Sequence, residues 1–240
     1  MPDALERWQV MPHGVLEEID DGILTVPGEI VMPLGRFPRR MTVIALAEGG
    51  TVIWSAIALH EPEMARIEAL GPPKFLIVPN RAHRLDAKIW KQRYPEMQVI
   101  APPKARQAVA EVVAVDATDD IIGDLAIAFD LIDQKTDEFA LRVHRASGTT
   151  LIVNDSIGHV RHPHGLGAKI MARLMGFGVK RPQVPRVIRR MMIDDPKALA
   201  AQMREWAALP DLRRIIVSHG DPITHDPAGE LRRLAAKLEK

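Results

Sequence analysis

Three short apolar runs end in residues that can move protons or hold a metal. Phe75–Val78 leads past Pro79 to His83, Leu151–Val153 leads to Asp155, and Ile215–Val217 leads to Ser218, His219 and Gly220. Runs of this length and character fit buried strands. Open α/β sheets hold their ligands at the carboxyl ends of strands. The chain contains no cysteine, which excludes disulfides, thiolate ligands and a thiol nucleophile. A metal site would have to be built from His, Asp, Glu or Asn. Two imidazoles and one carboxylate at three strand ends are the strongest chemical constellation in the chain.

The elements that must position them can be read from periodicity and breakers. In residues 75–95, FLIVPNRAHRLDAKIWKQRYP, Pro79 has no N–H to donate and ends the ladder. Asn80–Ala82 make a turn. From His83 the apolar positions Ala87, Trp90 and Tyr94 recur at helical spacing until Pro95. Upstream, residues 1–22 read as a loose arm and Ile23–Met32 as a strand interrupted by Pro27 and Gly28. PLGRFPRR, 33–40, reads as a loop with three arginines. Met41–Ala47 and Thr51–Ala58 are strand-like and joined at Gly49-Gly50, a hairpin signal. Glu61–Leu70 is a short helix stopped by Gly71-Pro72-Pro73. Downstream, Gln98–Ala101 is a strand, Lys104–Val113 a helix, and Leu125–Ile132 with Glu138–Val143 a strand pair. Lys197–Leu209 is an amphipathic helix with Leu199, Met203, Trp206 and Ala207 on one side, and Glu230–Leu238 closes the chain. Hairpins followed by strands and long helices predict a mixed α/β (α+β) sandwich rather than βαβα alternation.

Composition bounds the function. With 240 residues, 47% apolar and 26% charged, the chain can bury a substantial core and resembles an ordinary globular protein. Lys and Arg number 32 against 31 acids, which argues against a nucleic-acid partner; five Phe and one Tyr leave little for base stacking. No apolar run reaches the roughly 18 residues of a membrane span. MPDALERWQV lacks the apolar core of a signal peptide, so the expected location is cytoplasmic. G-x-S-x-G, Walker and G-x-G-x-x-G motifs are absent, and Ser55 has no sequence-defined base or oxyanion motif. One stretch departs from the average. Residues 159–193 hold no acid but eight Lys or Arg, three His, four Gly and four Met. It reads as a basic insertion with three readings: a solvated lid, a flap for a small anionic molecule or phosphoester, or a contact with a membrane surface or nucleic acid. Its HVRHPHG segment lacks the frame of a rigid metal site.

The order of these segments carries a resemblance. Metallo-β-lactamase-like hydrolases have a strand ending in H-x-H-x-D-H before a helix, a later His, a strand ending in a bridging Asp, and a last strand ending in His. NRAHRLDAKIWKQRYP resembles the segment after the first motif, with His83 in the place of its last His. TLIVND, ending at Asp155, resembles the bridging-Asp strand, and RIIVSHGDPI puts His219 in the last ligand place. The match spans residues 23–240. It departs where Val78, Asn80 and Ala82 stand for the two earlier His and the Asp, where no His occupies Lys135–Asp137, and where WSAIALHE lacks a strand-end Asp. The chain resembles a divergent, functionally undefined branch with a P-N-x-x-H motif.

That resemblance implies a single αββα sandwich domain over residues 1–240, with the basic insertion at 159–193 as a lid. It implies His83, Asp155 and His219 as metal ligands, Asp155 also steering water. Asn80 is a weak candidate ligand, and Asp86 and Asp221 candidates for orienting the histidines. Two nitrogens and a carboxylate suit one divalent metal with an open position, zinc or alternatively iron. The expected activity is metal-dependent hydrolysis. The competing expectations are a binding or scaffold protein that kept the fold and lost the metals, and an oxygen-using enzyme with a 2-His-1-carboxylate site, which iron rather than zinc would favour. A site at the periphery of the core predicts only a modest stability change when His219 is replaced.

Overall fold

The computed structural model describes residues 3–32, 35–162 and 166–240. His164 of the HVRHPHG segment lies outside the described residues. The described chain is mixed α/β, with two sheets and seven α-helices. It divides into two compact units, Met1–Ile30 with Arg39–Leu125, and Val31–Pro38 with Ala126–Lys240.

The first unit is built around a sheet of order β1-β2-β3-β4-β5-β6. Its strands are β1 (Glu17–Asp20), β2 (Ile23–Met32), β3 (Gly35–Ala45), β4 (Thr51–Trp54), β5 (Pro73–Ile77) and β6 (Gln98–Ile100). β3 and β4 pair antiparallel through the Gly49-Gly50 turn, whereas β4, β5 and β6 run parallel. The helices are α1 (Glu61–Glu68), α2 (Ala87–Arg93) and α3 (Arg106–Ala110). α1 has Pro62 in its first turn, acids at Glu61 and Glu63, and Arg66 in its last, the charge order that complements a helix dipole. Ile53, Leu76, Val78, Trp90, Met97 and Val99 share one buried cluster.

Three expectations change here. Residues 35–40, read as part of a loop, open strand β3. Part of the loose arm is ordered structure: β1 pairs with β2, and the Trp8 indole N–H donates to Leu59 O at 3.0 Å while its ring lies 5.6 Å from that of Trp90. The helix after β5 begins at Ala87, not at His83. Asn80 Oδ1 accepts the Ala82 N–H at 2.8 Å, a local turn that competes with helix formation.

The second unit carries a sheet of order β10-β9-β8-β7. Its elements are β7 (Ile127–Ile132), β8 (Glu138–Arg145), β9 (Gly148–His159), α4 (Leu166–Met175), α5 (Arg186–Met191), α6 (Pro196–Ala207), β10 (Leu212–Gly220) and α7 (Pro227–Leu238). β7, β8 and β9 are antiparallel, and β10 joins β9 parallel. Asp195 caps α6 by accepting from Lys197 N and Ala198 N, with Pro196 next, the N-terminal arrangement that satisfies otherwise orphaned donors. Leu199, Met203 and Trp206 of α6 and Leu231, Leu234 and Leu238 of α7 form one cluster with Leu151, Val153, Ile215 and Val217. The amphipathic reading of residues 197–209 is therefore the packing face observed.

Candidate metal centre

In the second unit, the ladder between β9 and β10 is broken where the chemistry lies. Val217 pairs with Val153, and the next pair is His219 with Gly158. Four residues of β9, Asn154–Ile157, thus face the single residue Ser218. Backbone donors freed by such a break must be satisfied elsewhere. Glu138, at the start of β8, does this: its carboxylate accepts from Asn154 N at 3.0 Å, Asp155 N at 2.9 Å, Ser156 N at 3.2 Å and Ser156 Oγ at 2.8 Å. Burial raises the Glu138 carboxyl to about 7; the Asp155 charge adds to this, and the Ser156 and Asn154 donors oppose it.

The break turns Asp155 toward β10. Asp155 Oδ1 lies 2.7 Å from His219 Nε2, and both side chains are buried. The other ring nitrogen, Nδ1, is 2.7 Å from Pro38 O. A carbonyl can only accept, so Nδ1 carries the hydrogen and Nε2 is the atom offered to Asp155. Phe37 and Phe177 flank the ring, with centroids at 4.7 and 6.0 Å. Burial pushes the His219 imidazolium down, but the hydrogen bond and charge of Asp155 and the Pro38 carbonyl outweigh it, and its pKa is raised. Gly220 follows with φ +113, and a Cβ there would meet His159 O at 2.0 Å. Only glycine allows this approach, which accounts for the S-H-G ending of β10.

In the first unit, the His83 ring is also held through Nδ1, which lies 2.8 Å from Ser55 Oγ. Ser55 directly follows β4, is buried, and has φ +54, a left-handed conformation unusual for a residue with a Cβ. Ser55 belongs to WSAIALHE, the segment in which the resemblance finds no strand-end aspartate.

The candidates with lesser roles are placed as follows. Asp86, expected to orient His83, instead ion-pairs with buried Arg39 and accepts the Ala58 N–H at 3.0 Å; the guanidinium engages both of its oxygens. Asn80 is buried and uses Oδ1 on the Ala82 N–H. Asp221 meets His159 rather than His219: its N–H donates to His159 O at 3.0 Å, and its carbonyl oxygen lies 2.9 Å from His159 Nδ1. Val78 is packed in the first unit's core. Ser55, Glu138 and Pro38 were not singled out as site residues from sequence.

Structural comparison fixes the fold. The chain is similar to DIM-1 metallo-β-lactamase exposed to ceftazidime, with a TM-score of 0.63 and 12% identity over 95% of this chain and 99% of that one. The fold is the metallo-β-lactamase fold. FIM-1 metallo-β-lactamase from Pseudomonas aeruginosa, in a mono-zinc form, matches with a TM-score of 0.60 and 13% identity, covering 95% and 96%. The metallo-β-lactamase from Pontibacter korlensis gives 0.63 and 12%, covering 92% and 98%. No protein-family model matches the sequence, and no curated protein does. The metallo-β-lactamase fold confirms the α/β class and αββα type that the resemblance implied. Identities this low speak to fold and leave activity to the site residues.

Proposed function

We propose a metal-dependent hydrolase acting on a small anionic substrate, with one divalent ion held by His83, Asp155 and His219. The observation that carries this is the shared state of the two imidazoles. Each has Nδ1 engaged by an oxygen, Pro38 O for His219 and Ser55 Oγ for His83, so a metal would take Nε2 of each ring. Metal-ligating histidines are commonly fixed this way through their second nitrogen. Two imidazoles and a carboxylate, each offering one ligand atom, match a catalytic site with an open position. FIM-1, which shares the fold, is described in a mono-zinc form, and a mononuclear site suits a chain with Val78, Asn80 and Ala82 at the remaining motif positions.

A divalent ion there would supply Lewis-acid activation of water near neutral pH. The chain's own residues would do the rest. Asp155, held by Glu138 through its backbone N–H, would give one carboxylate oxygen to the ion and use the other to orient water. Phe37 and Phe177 keep bulk solvent from the His219 ring. Zinc is the leading ion and iron the alternative for this donor set.

Metal analysis of protein purified without chelator and without added metal tests the reading. A single equivalent of zinc or iron per chain supports it, and two tightly held equivalents contradict the mononuclear site. The missing motif ligands favour a second reading, a binding protein that has lost its metal. That reading takes over if the chain carries no metal and gains none in excess zinc or iron.

A further inference from the structure

The cationic stretch of the second unit is exposed on one side and apolar residues stand among its charges. In α4, Ile170, Arg173 and Leu174 occupy positions i, i+3 and i+4, one helix face. Ile170 is 53% and Leu174 65% exposed. Ala172 points the other way, buried with Val160 and Phe177 against Phe37. In α5, Arg186, Arg189 and Arg190 are exposed, and Met191 is 62% exposed.

The cations line concave surface. Arg173, Lys180 and Arg186, with Gly176, Gly178 and Gln183, border a concavity of about 410 Å³. Arg186 and Gln183 continue into a second of about 170 Å³, where Arg189 and Lys237 join them. No Asp or Glu lines either, and neither Asp155 nor His219 contributes. Arg181 and Arg233 share Glu230. Arg173, Lys180, Arg186, Arg189 and Arg190 have no ion pair among the described residues. Burial and the charges of Arg233 and Arg181 lower the pKa of Lys237, as expected in a field of unbalanced positive charge.

Such a surface calls for an anion, and the apolar residues select which. A small free anion would satisfy the arginines and leave Ile170, Leu174 and Met191 unexplained. Single-stranded nucleic acid would use aromatic platforms, but Phe177, the one Phe, Tyr or Trp between 159 and 193, is buried. Exposed aliphatic side chains interleaved with Lys and Arg are the signature of a surface that lies in a membrane interface. We propose that the α4–α5 surface docks on anionic phospholipid, with Arg173, Lys180 and Arg186 taking headgroup phosphates and Ile170 and Leu174 entering the boundary with the acyl chains.

Co-sedimentation with phosphatidylcholine vesicles, with and without phosphatidylglycerol, tests this on the full chain. Binding should require phosphatidylglycerol and weaken as salt screens the charges. The double variants Arg186→Glu/Arg189→Glu and Ile170→Ser/Leu174→Ser should each bind about tenfold more weakly or worse, with unchanged circular dichroism. All four positions are exposed; Arg190→Glu is the milder charge variant if a double variant fails to fold. Absence of binding to phosphatidylglycerol vesicles overturns the proposal. So does binding that ignores the Ile170→Ser/Leu174→Ser change, or displacement of vesicles by an RNA oligonucleotide that binds more tightly, which would assign the patch to nucleic acid.

Discussion

The backbone carbonyl of Pro38 lies 2.7 Å from Nδ1 of His219, a contact between residues 181 positions apart. It fixes the tautomer, so that Nε2 faces Asp155. The consequence is testable with His219→Ala. Metal content should fall below about a tenth of the wild-type value, since a ligand and its orienting contact are both lost. Stability should fall as well. The peripheral position of the site suggested a modest change, but His219 and Asp155 are each 5% exposed. Removing one partner of a buried pair leaves the other charge uncompensated, at a cost of about 3–5 kcal/mol. Metal analysis and denaturant unfolding of the metal-free proteins check the two parts. Retention of stoichiometric metal would remove His219 from the ligand set.

Asp86 separates architecture from chemistry. Its carboxylate, 1% exposed, faces Arg39, 5% exposed, and the Ala58 N–H. Asp86→Asn should destabilise the fold by about 3–5 kcal/mol, because the guanidinium stays buried without its counter-charge. Zinc affinity of the remaining folded protein should be unchanged. A loss of affinity with no loss of stability would return Asp86 to the role of orienting His83.

Tyr94 gives a pH prediction with a clean optical readout, because it is the only tyrosine in the chain. Burial raises its pKa above the ordinary 10.0; its hydrogen bond to Glu68 adds, and Arg93 opposes. The neutral phenol is the form the fold favours. Its contribution to stability is present below the unfolded value near 10 and is lost as pH rises toward the folded value. Phenolate absorbance should therefore not appear at pH 10 in the folded protein and should rise together with alkaline unfolding. Titration at the ordinary pH with the fold intact would contradict the partial burial of this ring and its hydrogen bond to Glu68.

Strands and packing helices were legible because their signals are periodic and carried by side chains. Phe75–Val78 lies in and just after β5, Ile215–Val217 within β10, and the apolar side of residues 197–209 is the buried side of α6. The pairing of Asp155 with His219 follows from β9 and β10 neighbouring each other in one sheet, although β9 runs on past Asp155 to His159 instead of ending there. Three supporting contacts were not legible. Pro38 acts through a backbone oxygen, which no side-chain pattern announces. Glu138 looks like any acid at a strand start, and its role depends on a register break after Val153 that local sequence does not encode. Ser55 adopts φ +54 without the glycine that usually marks such a turn.

Ser55 therefore offers the sharpest test of how His83 is prepared. Its backbone is strained and its hydroxyl holds Nδ1 of His83 at 2.8 Å, two effects that substitution can separate. Ser55→Gly removes the hydroxyl and relieves the left-handed strain, worth about 1–2 kcal/mol for a residue with a Cβ. Ser55→Ala removes the hydroxyl and keeps the strain. Both variants should bind zinc about 10–100-fold more weakly, the usual effect of losing an orienting partner of a ligand. Ser55→Gly should be the more stable of the two. Zinc competition against a chromophoric chelator gives the affinities, and thermal unfolding of the metal-free proteins gives the order of stability. Equal, wild-type zinc affinity in both variants would show that the hydroxyl does not orient the ligand. Weakened affinity in Ser55→Gly alone would trace the effect to the backbone conformation rather than to the hydrogen bond.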